Sequence, residues 1–140
     1  MVWAHDGHIR KRPGWMGGFL ANASGSDYFA ISQVFHSGSY NARFDDGRSL
    51  DLRVNYADSS EPGSLEYALH ATGARRLILN LRSPSPADPD STWLLGGLQV
   101  RSIGAYAQIP NSFVLSFTET RDFDAVIFFD EAGPTSLLPR

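Results

Sequence analysis

Apolar and polar residues alternate in short blocks along this chain of 140 residues, and the period changes from block to block. Val2-Trp3-Ala4 is a short β-favouring run that breaks off at His5-Asp6-Gly7-His8, so it predicts a strand carrying ionisable groups at its carboxyl end. Met16, Phe19, Leu20 and Ala23 recur at helical spacing. They predict a helix from about Trp15 to Ser24, stopped by Gly25, with one apolar stripe against a sheet. Tyr28 to Phe35 predicts a largely apolar strand. His36-Ser37-Gly38 marks a bulge or kink, after which Tyr40 to Phe44 resumes. Asp45-Asp46-Gly47-Arg48 is a hairpin signal. Beyond it Leu50, Leu52, Val54 and Tyr56 point one way, with Asp51, Arg53 and Asn55 the other.

A polar turn through Pro62-Gly63 leads to a second helix with Leu65, Ala68, Leu69 and Thr72 as its buried face and Gly73 as its end. Leu77 to Arg82 is too short for a helix of its own and reads as an inner strand that closes on a charge. Ser83 to Asp90 holds three prolines and predicts an irregular loop. Ser91-Thr92 caps a brief helix through Leu95, and Val100 to Tyr106 predicts a strand. Ile109 to Phe117 fits strand and helix equally. Asp124 to Glu131 is the closing strand, with a loose tail from Ala132 to Arg140. Residues 1–140 therefore read as one α/β domain, a mixed β-sheet flanked by helices in three layers.

Composition narrows the function classes. A hydrophobic share of 42% with 19% charged residues is globular, and disorder is not expected. The net charge of -3 argues against a nucleic-acid or anionic-membrane partner. The absence of cysteine excludes disulfides, thiolate metal sites and a cysteine nucleophile. No run has the apolar length of a bilayer span and no signal peptide opens the chain, so the expected location is the cytoplasm.

Three apolar strands end in polar residues: His5, Asp6 and His8; Arg82; Asp130 and Glu131. If these strands are parallel neighbours, the groups gather along one rim of the sheet, where open α/β folds place their sites. In a turn of threefold character His5 and His8 project to the same side, whereas in an extended strand they point to opposite faces. Two imidazoles with a carboxylate between them suit orienting a water, donation to an oxygen acquiring charge, or a metal held by His5, Asp6 and His8. His36 lies near Ser37, Ser39, Asp45 and Asp46, yet no nucleophile-elbow pattern supports a triad there. His70 reads as structural.

The ordered segments resemble a known family. Val2-Trp3-Ala4-His5-Asp6-Gly7-His8 is similar to the W-A-H-N-x-H segment of the erythromycin esterase family, which includes proteins labelled succinoglycan biosynthesis. The likeness continues through Met16-Gly17, the Tyr28-to-Arg43 strand, Pro62-Gly63-Ser64-Leu65-Glu66 and Thr72-Gly73. It runs on through Leu79-Asn80-Leu81-Arg82, Arg101-Ser102-Ile103-Gly104 and Phe123 to Glu131. Asp6 replaces the motif's common asparagine, and Asn80 replaces the aspartate of L-D-L-R. The resemblance implies only the carboxyl-terminal part of the family's domain, without the histidine usually assigned as general base. It implies hydrolysis of an ester or macrolide lactone, in bacterial macrolide resistance, with no cofactor and no resident metal. His5 and His8 would be the site histidines, and Asp6, Arg82, Asp130 and Glu131 oxyanion or structural support. The chain alone is then expected to be inactive. Its small-molecule partner is an ester or lactone. The alternative is a non-catalytic module that self-associates or pairs through an exposed sheet edge.

Overall fold

A computed structural model describes residues 1–45, 50–103, 106–107, 114–118 and 120–136. The elements in chain order are α1 (Asp6–Ile9), α2 (Met16–Ser24), β1 (Ile31–Asp45), β2 (Leu50–Ala57), α3 (Leu65–His70), β3 (Arg76–Asn80), β4 (Leu98–Ser102), β5 (Tyr106–Ala107), β6 (Val114–Thr118) and β7 (Ala125–Ala132). They form the expected α/β fold. The main sheet runs β2-β1-β7-β3, with β5 joined to β1, and β4 and β6 make a separate two-stranded sheet. The sheet is mixed: β1 pairs parallel with β7 and antiparallel with β2.

Strand alternation sorts the two faces. Val34, Val126 and Phe128 point inward with Leu77 and Leu79, and meet Leu65 and Leu69 of α3 and Leu98 and Val100 of β4. Ser64 starts α3 by accepting from the Tyr67 amide at 3.2 Å, so the helix axis is set where the core needs it. Ile31, Gln33 and Ile78 lie on the opposite face and are exposed.

Several expectations need correction. The opening Val2-Trp3-Ala4 is not a strand; Trp3 is 81% exposed, and an apolar triplet with no sheet partner has nothing to extend it. The break at His36-Ser37-Gly38 does not divide the strand. β1 is continuous for 15 residues, because Gly38 takes a φ of 128° and its missing Cβ lets the Ala132 carbonyl approach. The apolar row of β2 alternates as expected but faces outward, with Tyr56 70% exposed. The inward row carries buried Asn55, which donates to the carbonyls of Ala42 (3.1 Å) and Arg53 (2.9 Å). β3 is not an inner strand: among the described residues it is the sheet edge, antiparallel to β7. The stripe of α2 does not face the sheet either. Phe19 is 68% exposed, and the helix instead packs through buried Gly17 and Gly18. The hairpin turn itself falls outside the described residues, as does most of Ile109 to Phe117; the described end of that stretch belongs to strand β6. Among the described residues no helix is long and apolar enough to cross a membrane.

Candidate functional site

The site is built on α1, a single helical turn anchored on several sides. His5 is its N-cap: the Gly7 amide donates to His5 Nδ1 at 3.0 Å, and His5 Nε2 meets the carbonyl of Ile103. A ring nitrogen that accepts an amide proton carries none itself, so the second nitrogen is the N–H that donates to Ile103. Behind α1 the Tyr28 hydroxyl donates to the Ile9 carbonyl at 2.6 Å. The following basic loop is tied to the start of β7: the Lys11 amide donates to the Asp122 carbonyl, Lys11 Nζ lies 2.6 Å from Asp124, and Arg12 forks onto the Asp122 carboxylate.

His5 and His8 lie on the same side, ring centroids 6.3 Å apart and edge to face, as expected of a turn of threefold character. His8 also meets Trp15 edge-on at 6.4 Å, and among the described residues its ring nitrogens have no hydrogen-bond partner. Asp6 turns the other way, accepting from the Ser32 hydroxyl and the Gln33 amide. Burial raises its pKa despite those donors. The three groups thus point apart. Among the described residues no three such side chains gather as metal ligands, so the metal alternative finds no support.

Beside α1 a cleft of about 630 Å³ is bounded by Trp3, His5, Asp6, Arg10, Phe29 and Phe123. His8 stands just outside it. Glu66, a fully buried residue of the cleft lining, accepts the Arg101 amide at 2.8 Å, and burial raises its pKa.

The remaining expected site residues divide between the two ends of the sheet, and the single polar rim is not formed. Because β3 runs against β7, Arg82 emerges at the amino-terminal end of β7, where its Nε donates to Asp124 at 2.6 Å and its guanidinium covers Phe29. Arg82 is therefore an ion-pair residue of the frame behind α1. Asp130 and Glu131 lie at the other end of β7. Asp130 pairs with His70 at 2.6 Å, not with an arginine, and Glu131 is exposed.

That far end holds a cluster of its own. His36 is buried on β1, its Nδ1 2.6 Å from Ser60 Oγ, and its ring lies flat on that of His70 with centroids 3.7 Å apart. The drawn triad with Ser37, Ser39 and the hairpin acids is not what His36 joins. Burial lowers the His36 pKa below 6.5, helped by His70 of α3 and Arg101 of β4 and opposed by Asp130 of β7. An unfolded chain accepts that proton more readily than the folded one. Stability is therefore expected to fall as pH drops below about 6.5 and to level off once folded His36 is also protonated. Urea denaturation at a series of pH values tests this against His36→Gln, which should remove that slope. The raised carboxyls of Asp6 and Glu66 act in the opposite sense in both proteins. An identical slope in both would refute the assignment.

The family model for erythromycin esterase matches residues 1–132. The chain belongs to the erythromycin esterase family. No curated protein sequence matches it. Two solved structures share the fold. One is a Bacillus cereus protein, 20% identical with a TM-score of 0.82 over 99% of this chain and 35% of that one. The other is described as a succinoglycan biosynthesis protein, 18% identical with a TM-score of 0.74 over 95% and 33%. This chain thus spans about a third of the length of either relative.

Sequence reasoning missed Arg10, Tyr28 and the anchoring role of Asp124. The basic run Arg10-Lys11-Arg12 was visible, but which of the three is neutralised depends on Asp122 and Asp124, more than a hundred residues away.

Proposed function

We propose that the chain supplies the histidine pair of an ester- or lactone-hydrolysing site, and that it represents the carboxyl-terminal part of the family's domain. The observation that carries this reading is the His5–His8 pair set by the α1 cap, with His5 on the cleft lining and His8 just outside it. His5 brings an N–H of fixed tautomer. A substrate oxygen that displaces the Ile103 carbonyl would accept that same proton, which suits an oxygen gaining negative charge. His8 has ring nitrogens available to hold the attacking water. The cleft walls are largely apolar, which suits an uncharged ester rather than a sugar or nucleotide. On this reading the base that completes the reaction belongs to the part of the relatives' length that this chain does not span.

The test joins this chain to the segment by which the Bacillus cereus relative exceeds it and follows hydrolysis of an uncharged lactone. His5→Ala and His8→Ala are each expected to lower kcat about a hundredfold with a small change in KM. This chain by itself should be no faster than buffer. Undiminished turnover in the double variant would remove both histidines from the chemistry.

A further inference from the structure

We propose that Arg10 is the anion-binding residue of the cleft, and that it takes a carboxylate carried by an otherwise apolar molecule. Three basic side chains beside α1 are already bound among the described residues. Lys11 and Arg82 are bound to Asp124, and Arg12 to Asp122. Arg10, the residue that closes α1, has no ion pair among the described residues. Its Nε is buried without a hydrogen-bond partner. The side chain lines the cleft, and its guanidinium carbon lies 5.3 Å from the centroid of the Trp15 ring. That contact restrains the fork without neutralising it.

The neighbouring Asp6 carboxyl feels the Arg10 charge but makes no ion pair with it among the described residues. Asp6 spends its oxygens on Ser32 and Gln33, and burial favours its uncharged form. The buried Nε is closed to a ligand, so the contact falls to the terminal guanidinium nitrogens, which have no hydrogen-bond partner among the described residues on a side chain that lines the cleft. Apolar walls contributed by Ile9, Phe29, Val34 and Phe123 surround the same space. Arg101, the other guanidinium on the lining, donates to the His36 and Asp58 carbonyls, so the planar cation of Arg10 beside these walls fits the carboxylate of a fatty or aromatic acid, gripped by two parallel hydrogen bonds. Inorganic phosphate, which has no apolar part, would forgo the walls. Ester or lactone cleavage releases an acid of this class, so Arg10 would hold the product. That last identification rests on the hydrolase reading; the binding does not.

The probe is sodium hexanoate, titrated into the chain while the Arg10 Nε–H resonance is followed by NMR. A saturable shift is expected, with hexanol leaving the resonance unmoved. Arg10→Gln should abolish hexanoate binding and Arg10→Lys weaken it about tenfold, because an ammonium cannot form the paired contact. Arg75→Gln, an equal charge loss at an exposed position, should bind as the parent does. No saturable shift of the Arg10 signal, or unchanged affinity in Arg10→Gln, overturns the proposal. If a variant fails to fold, the parent resonance decides alone. Hydrolysis without Arg10-dependent hexanoate binding would refute this proposal and leave the hydrolase reading. Binding without histidine-dependent hydrolysis would do the reverse.

Discussion

Gly17→Ala is expected to lower the melting temperature by about 10 °C, the equivalent of roughly 3 kcal/mol for a chain of this size. A Cβ on Gly17 would stand 2.0 Å from the Ile9 carbonyl oxygen, and one on Gly18 would stand 2.2 Å from that of Arg12. Both obstacles are main chain, which cannot rotate aside as a side chain would. α2 must therefore back away from α1 and its basic loop, the segment that presents His5, His8 and Arg10. The effect should reach the cleft as well as the stability, so hexanoate affinity should fall together with the melting temperature. Gly96→Ala is the control. It would meet nothing within 4 Å, so a change within about 0.5 kcal/mol is expected. Equal melting temperatures for the two variants would show that the glycine contact does not hold α2 in place.

Asp124→Ala is expected to cost about 3 kcal/mol in urea denaturation. The carboxylate is 1% exposed and receives three donors: Lys11 Nζ at 2.6 Å, Arg82 Nε at 2.6 Å and the Ala30 amide at 2.7 Å. Burial pushes its pKa up, but those donors outweigh burial and hold it below the usual 3.8. The stabilisation it brings is therefore complete above that value and is lost as pH falls through the lowered folded value. The loss on truncation sits at the lower end for a broken buried pair, since Lys11 and Arg82 are partly exposed and can turn to water. The Ala30 amide cannot do so, and its unmet donor is the larger part of the cost. Asp124→Asn keeps one acceptor for that amide and should fall between the parent and Asp124→Ala. A loss below about 1 kcal/mol for Asp124→Ala would mean the ion pairs are dispensable.

Elements whose period is long or whose turn chemistry is local were legible in the sequence. The β1–β2 hairpin, the helices α2 and α3 and the closing strand β7 fall close to where spacing places them. Direction and neighbour were not legible. The run Leu77-Ile78-Leu79 states that a strand forms, but only packing decides that Leu77 and Leu79 face the core while Ile78 is left 74% exposed at an edge. The antiparallel pairing with β7 then sends Arg82 to one end and Asp130 to the other, which no property of either residue encodes. The stripe on α2 misled for a related reason. Two glycines allow a closer backbone approach than Met16 and Phe19 could, so the small residues won the interface. Of the candidate site, the His5–His8 juxtaposition was one of two arrangements the spacing allowed, and the helical turn of α1 decides it. That Arg10 has no ion pair among the described residues could not be read from spacing, because it depends on where the neighbouring acids have gone.

Pairing along β1 changes hands at Gly38. Residues up to that point bond to β7, and residues from it onward bond to β2. The first half of β1 therefore has a flank that no strand occupies among the described residues, and Asp6 takes up the Gln33 amide there in the manner of a missing neighbour. By alternation the amides and carbonyls of Ile31 and Phe35 look the same way, and both residues border the cleft. Part of the cleft's polarity is thus written in peptide groups, which a substitution at those positions would leave unchanged while it altered the shape around them.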